Sequence, residues 1–242
     1  MCRDYLREDY LAKTEERLTG GFVNEVVRVG DTVRRPAAPD FVHRLLRHFE
    51  ASAWPGAPRY LGRDERGREM LSFIAGHGPG VHTDAALARI GAMVRQFHDL
   101  TAGTTLAGSS EVVCHNDLSP KNTVYDEEGR PVAFIDWDIA APGRRIEDVA
   151  HACWQYVGLG PDLTDPVEAA RRVGVPAGAY GGIAPQPLVE TILWWQDRCW
   201  RGIAEKADAG EPAMVRLRDR GAVEAVRAAY DWTAANRLTL AA

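Results

Sequence analysis

The feature that most constrains this 242-residue chain is one stretch, VVCHNDLSPKNTVYDEEGRPVAFIDWDIAAPG, running from Val112 to Gly143. Glu111 to Cys114, at its start, and Val132 to Ile135 read as two short strands rich in apolar and β-branched residues. Each leads into a motif bearing carboxylates, and a polar DEEG turn lies between them. The two strand ends are thereby expected to lie close together. Asp117 and Asn122 fall on the first loop, and Asp136 follows Phe134 and Ile135 on the second, so oxygen-rich side chains face one cavity. Hard oxygen donors of this type suit magnesium, which is usually held by one or two protein groups plus substrate phosphates. No His or Cys cluster in the sequence points to a softer metal.

Around this stretch the hydrophobic periodicity changes near residue 75, which divides the chain into an N-terminal lobe, 1–74, and a C-terminal lobe, 75–242. The first reads as strands with one helix. Phe22 to Val29 and Thr32 to Arg35 form a hairpin about Gly30 and Asp31, and Tyr60 to Leu61 with Glu69 to Phe73 form a second. Between them, Asp40 is placed to cap a helix through Phe41, Leu45, Leu46 and Phe49. The second lobe is mainly helical. Thr83 or Asp84 caps a helix carrying Leu87, Ile90, Val94 and Phe97, and later helices are expected over 146–157, 188–207 and 212–236. Trp154, Trp194, Trp195, Trp200 and Trp232 sit at helical spacing and read mostly as core rather than as a ligand-stacking box. The fold class is therefore α+β, with a small β-rich lobe and a larger helical one.

Charge narrows the partners. A formal net charge of -5 argues against nucleic acid, whose phosphates demand a surplus of Lys and Arg on one face. No apolar run is long enough to span a bilayer and the N-terminus is charged throughout, so a cytoplasmic protein with no membrane partner is expected. Cys2, Cys114, Cys153 and Cys199 lie far apart and form no CxxC pair, and read as small buried residues. Oligomeric state leaves no mark in the sequence.

The string HNDLSPKN resembles the catalytic loop HxDxxxxN, and FIDWD the metal-binding segment, of the aminoglycoside phosphotransferase and choline kinase-like family. Asp136 follows Asn122 by fourteen residues and PGRRIEDVA comes next, in the family's order. The resemblance implies a two-lobed protein kinase-like fold and a phosphotransferase using ATP and Mg2+ to phosphorylate a hydroxyl of a small molecule. It implies that Asp117 orients the acceptor hydroxyl and takes its proton, while Asn122 and Asp136 hold magnesium against the nucleotide phosphates. It gives His115 a bracing role, makes Asp138 a support rather than a ligand, and has Asp148 hydrogen-bond the catalytic-loop backbone. Gly20, Gly21 and Asn24 resemble the glycine-rich turn that covers nucleotide phosphates, and Phe73 and Ile74 take the place of the hinge that meets the adenine edge.

Two departures stand out. The family's phosphate-binding lysine is absent, since no lysine lies between Lys13 and Lys121. Strand alternation puts Val33 and Arg35 on one face and Arg34 on the other, so Val33 would face adenine and Arg35 rather than Arg34 would replace the lysine. The helix glutamate that pairs with that lysine is also missing: FVHRLLRHFE offers Val42 and His43, with Glu50 two turns later and Glu25 as an outside substitute. These departures keep a second reading open, a catalytically weak or inactive kinase-fold nucleotide-binding module with a regulatory or immunity role. From Gly158 onward eleven acidic residues face ten basic ones, which lends no special support to a polycationic acceptor such as an aminoglycoside. Glu190, Asp197 and Asp231 are the acidic residues whose clustering would change that.

Overall fold

The computed structural model describes residues 15–18, 26–78, 80 and 82–242. Gly20, Gly21, Asn24 and Glu25 lie outside the described residues. The chain forms two lobes. In the first, strands β1 (Glu16–Arg17), β2 (Val27–Val29) and β3 (Thr32–Arg35) precede helix α1 (Asp40–Ala51), and β4 (Tyr60–Arg63) and β5 (Glu69–Ser72) complete an antiparallel sheet of order β1-β2-β3-β5-β4. The β3–β5 register sets Val33 opposite Leu71 and Arg35 opposite Glu69. Helix α1 buries Val42, Leu45, Leu46 and Phe49, the three- and four-residue spacing of one apolar face. Asp40 is its first residue and not its cap: Pro39 occupies the cap position, without a side-chain bond.

In the second lobe, α2 (Asp84–Thr101) begins where the Thr83 hydroxyl accepts from the Ala86 N–H. Three short elements follow, β6 (Val112–Cys114), β7 (Thr123–Tyr125) and β8 (Pro131–Phe134), and then β9 (Ala141–Gly143). The two strands expected from the sequence are not partners. β6 pairs with β9, and β8 with β7 across the DEEG turn. Helices α3 (Arg145–Val157), α4 (Pro166–Tyr180), α5 (Pro185–Asp208), α6 (Pro212–Asp219), α7 (Ala222–Ala235) and α8 (Arg237–Leu240) complete the lobe. The single helix expected over 212–236 is broken at Gly221, whose φ of 79° is left-handed. No described helix is long and apolar enough to cross a membrane.

One aromatic cluster joins the lobes beneath the cleft. Trp137 is buried among Phe49 of α1, Phe97 of α2 and Trp54, with ring centroids 5.0, 5.2 and 6.3 Å away. Its indole N–H donates to the Phe134 carbonyl at 3.0 Å. Burying an aromatic of this size contributes on the order of 4 kcal/mol before entropic costs. Because Trp137 points inward, the aspartates on either side of it are held at the cleft surface.

Candidate active site

The site is built on two loops whose backbone is fixed by buried acceptors. His115 and Asn116 follow β6, and their N–H groups donate to the two oxygens of Asp148 on α3, at 2.7 and 2.9 Å. Asp148 is fully buried, and Oδ2, the oxygen that accepts from His115, also meets His98 Nε2 at 3.2 Å. His98 Nδ1 in turn meets the Tyr180 hydroxyl at 2.9 Å, so α2, α3 and α4 all brace the loop. Asn116 has φ 65°, a left-handed conformation that asparagine tolerates well, and its side chain donates to the Ile139 carbonyl.

His115 ties the two loops together. Its Nδ1 accepts from the Asp117 N–H at 3.3 Å, which leaves Nε2 to donate to the Ile135 carbonyl at 3.1 Å. The ring is therefore a neutral tautomer, consistent with burial holding its pKa below the usual histidine value. Both ring nitrogens are thus engaged by loop backbone.

Asp117 Oδ2 accepts from Asn122 Nδ2 at 2.7 Å, and the same nitrogen donates to the Asp117 carbonyl at 2.9 Å. With both partners acceptors, the Asn122 amide nitrogen is fixed and Oδ1 remains as an oxygen donor. Lys121 Nζ lies 3.6 Å from Asp117 Oδ2. Asp136, with φ 64°, projects a half-exposed carboxylate from the second loop. Left-handed non-glycine residues cost of order 1–3 kcal/mol and persist where the surroundings over-determine them.

From the other lobe, Arg35 reaches across. Its Nη1 donates to Asp136 Oδ1 at 3.0 Å, Nη2 donates to Asp138 Oδ1, and Nε donates to Glu69 Oε1 at 2.5 Å. Burial pushes the Asp138 carboxyl up, against the pull of Arg35. Arg34 lies on the opposite face, in a surface cavity with Arg63, Arg66 and Arg68, so alternation assigns the cleft to Arg35. Val33 is half-buried on the cleft side of β3. Phe73 carries the Arg28 guanidinium 3.8 Å above its ring, and its N–H is taken by the Asp31 carbonyl at 2.9 Å. Among the described residues the Ile74 backbone has no hydrogen-bond partner; its side chain lines a cavity of about 420 Å³ with Phe49, Trp54 and Ala57.

The structure thus brings Asp117, Asn122, Asp136 and Arg35 to one cleft. Sequence reasoning missed Glu69, whose contact with Arg35 depends on strand register and carries no local signal, and did not foresee that His43 of α1 bonds Glu69. Of the acidic residues named above, Asp197 pairs with Arg201 at 2.8 Å, and Glu190 lines a cavity with Arg237. Trp194 is exposed, whereas the Trp195 indole donates to the Glu147 carbonyl.

Residues 40–181 match the phosphotransferase enzyme family. The trifolitoxin immunity protein of Rhizobium leguminosarum bv. trifolii is 39% identical over 178 residues, 65% of this chain and 66% of that protein, slightly under two thirds of the relative's length. A choline/ethanolamine kinase family protein from Mesorhizobium loti has the same fold, with a TM-score of 0.59 at 18% identity over 93% of this chain and 92% of that one. So does choline kinase LicA from Streptococcus pneumoniae, at 0.60 and 13% over 88% and 93%.

Proposed function

Since this chain belongs to the phosphotransferase enzyme family, we propose that it is a kinase moving the terminal phosphoryl group of ATP, with Mg2+, onto a hydroxyl of a small molecule. The observation that carries the reading is that Asn122 bonds Asp117, the Ile135 N–H donates to the Asn122 carbonyl at 2.9 Å and so sets Asp136 beside them, and Arg35 of the other lobe bonds Asp136. The acceptor O–H donates to the Asp117 carboxylate, which takes the proton as the new O–P bond forms and the bond to the departing diphosphate breaks. Lys121 keeps positive charge beside that carboxylate and Asn122 fixes its plane.

The donor set suits the metal. Asn122 Oδ1 and the Asp136 carboxylate are hard oxygens, and Asp136 already holds a cation in the form of the Arg35 guanidinium. When bound, magnesium would neutralise phosphate charge between these two residues. Separate pairing of Asp197 and placement of Glu190 beside Arg237 support an acceptor of modest charge over a polycation. The expected setting is cytoplasmic.

Calorimetric titration of ATP, with and without magnesium, tests the reading on wild type and Asp136→Ala. Magnesium-dependent binding that disappears in the variant is the expected result; wild type that binds no ATP overturns it.

A second reading has a specific observation behind it. The relative at 39% identity is named for immunity, and Arg35 neutralises the metal-site carboxylate in this structure, as a nucleotide-binding module without turnover would allow. Retention of the cellular role by an Asp117→Asn variant supports that reading, and loss of the role with folding intact sinks it.

A further inference from the structure

Glu69 has no exposed surface, yet it is a carboxylate at the end of a sheet strand. Its charge is compensated from three sides. Oε1 accepts from Arg35 Nε at 2.5 Å, and Oε2 accepts from the Ala38 N–H at 3.1 Å and from His43 Nε2 at 2.7 Å. These donors come from β3, the link after it, and α1. His43 is itself buried and stacks on Tyr60, with ring centroids 4.0 Å apart and planes inclined by 19°. An apolar pair would fill the same volume without the desolvation penalty of a buried ion pair, so packing alone gives this arrangement no advantage.

The arrangement does fix Arg35. With Nε held from behind, the guanidinium plane is set and both terminal nitrogens project across the cleft, to Asp136 and Asp138. Two parallel N–H donors in a fixed plane match the oxygens of a phosphate. A lysine has one nitrogen and cannot be held from behind while presenting a fork in front. The arginine on β3 and the glutamate on β5 therefore form one unit, coupled to α1 through His43.

We infer that Glu69 and His43 are positioning residues that aim the Arg35 fork at a nucleotide phosphate, an inference that rests on the kinase reading above. Glu69→Gln keeps the shape but turns an amide N–H toward a donor. It should weaken magnesium-ATP binding about 10- to 100-fold, the worth of a charge-assisted hydrogen bond. Adenosine, which has no phosphate, should bind the variant as it binds wild type. In an Arg35→Ala background the Glu69→Gln change should add nothing to the loss. Should Glu69→Gln fail to fold, His43 carries the same test: His43→Ala weakens ATP but not adenosine, and His43→Gln, which can still donate to Glu69, restores it. Calorimetry of ATP and ligand-observed NMR of adenosine read these out. Equal loss of ATP and adenosine, additive effects with Arg35→Ala, or unchanged ATP affinity in a folded variant overturns the inference alone. A wild type that binds no nucleotide overturns it together with the kinase reading.

Discussion

Asp148→Asn changes no side-chain volume, and should still rank among the costliest single substitutions in the chain. Asp148 receives three donors in a site with no solvent exposure: the His115 and Asn116 N–H groups and His98 Nε2. Asparagine keeps one acceptor oxygen, and its amide must face a donor whichever way it is turned. At about 1–3 kcal/mol for each buried donor left without a partner, plus the lost charge assistance, the total is about 3–5 kcal/mol. For a chain of this size each kcal/mol lowers Tm by about 2–4 °C, so a fall of roughly 6–20 °C is expected in scanning calorimetry. The pH profile supplies a second check. Burial raises the Asp148 carboxyl pKa, but the hydrogen bonds it accepts from His98 and from the Asn116 N–H outweigh it and hold it below the usual carboxylate range. A carboxylate lowered in the folded state stabilises above its unfolded value, about 3.9, and that contribution disappears as pH falls through the folded value. The gap between wild type and variant should be full at neutral pH and close in strong acid. A Tm change under about 2 °C, or a gap that ignores acid, refutes the assignment of Asp148 as the loop's anchor.

Three further outcomes are expected. Asp117→Asn should bind magnesium-ATP as wild type does while phosphoryl transfer, followed as ATP consumption in a single turnover, slows about 10²- to 10⁴-fold; weakened binding would instead mark Asp117 as a nucleotide contact. Gly91→Ala should destabilise by about 1–3 kcal/mol in urea unfolding, because a Cβ there would stand 2.1 Å from the Pro176 carbonyl oxygen where α2 crosses α4. Burial holds the His115 and His151 pKa values below the usual histidine range, so below about pH 6.5 the unfolded chain takes up protons that the folded chain refuses. Stability should then fall on acidification by about 1.4 kcal/mol per pH unit for each such histidine, and His151→Asn should flatten the slope; a level profile from pH 7 to 5 refutes it.

What the sequence made legible is what local pattern encodes. The apolar spacing of α1, the Thr83 cap of α2, and the spacing of Asp117, Asn122 and Asp136 all sit within short windows, and the last three converge because one hairpin joins their loops. Helix α4 was not legible, since PVEAARRVGVPAGAY holds an internal proline and two glycines that count against a helix. Asp165 starts it by accepting from the Val167 and Glu168 N–H groups, and packing on α2 outweighs its weak propensity. The β6–β9 pairing also escaped, because it joins residues nearly thirty positions apart through a strand containing Pro142. Arg35 was placed by alternation alone, but its partner was not: Glu69 faces it only because β3 and β5 adopt one register.

That register has an electrostatic consequence for the whole cleft. Glu69, Asp136 and Asp138 present three carboxylates to the one guanidinium of Arg35, an excess of two negative charges when all are ionised. Arg35 satisfies Glu69 through Nε and has only its terminal nitrogens for the other two. A nucleotide phosphate that takes those nitrogens strips Asp136 and Asp138 of their cation and adds further negative charge, which this half-buried site cannot tolerate alone. A divalent cation entering beside Asp136 and Asn122 restores the balance, so phosphate and metal should bind together far better than either does separately. An arginine held by Glu69 on the strand thus couples the binding of phosphate to that of the metal. The Asp136→Ala titration tests this coupling, because removing that carboxylate should abolish the magnesium dependence while leaving Arg35 free to hold phosphate.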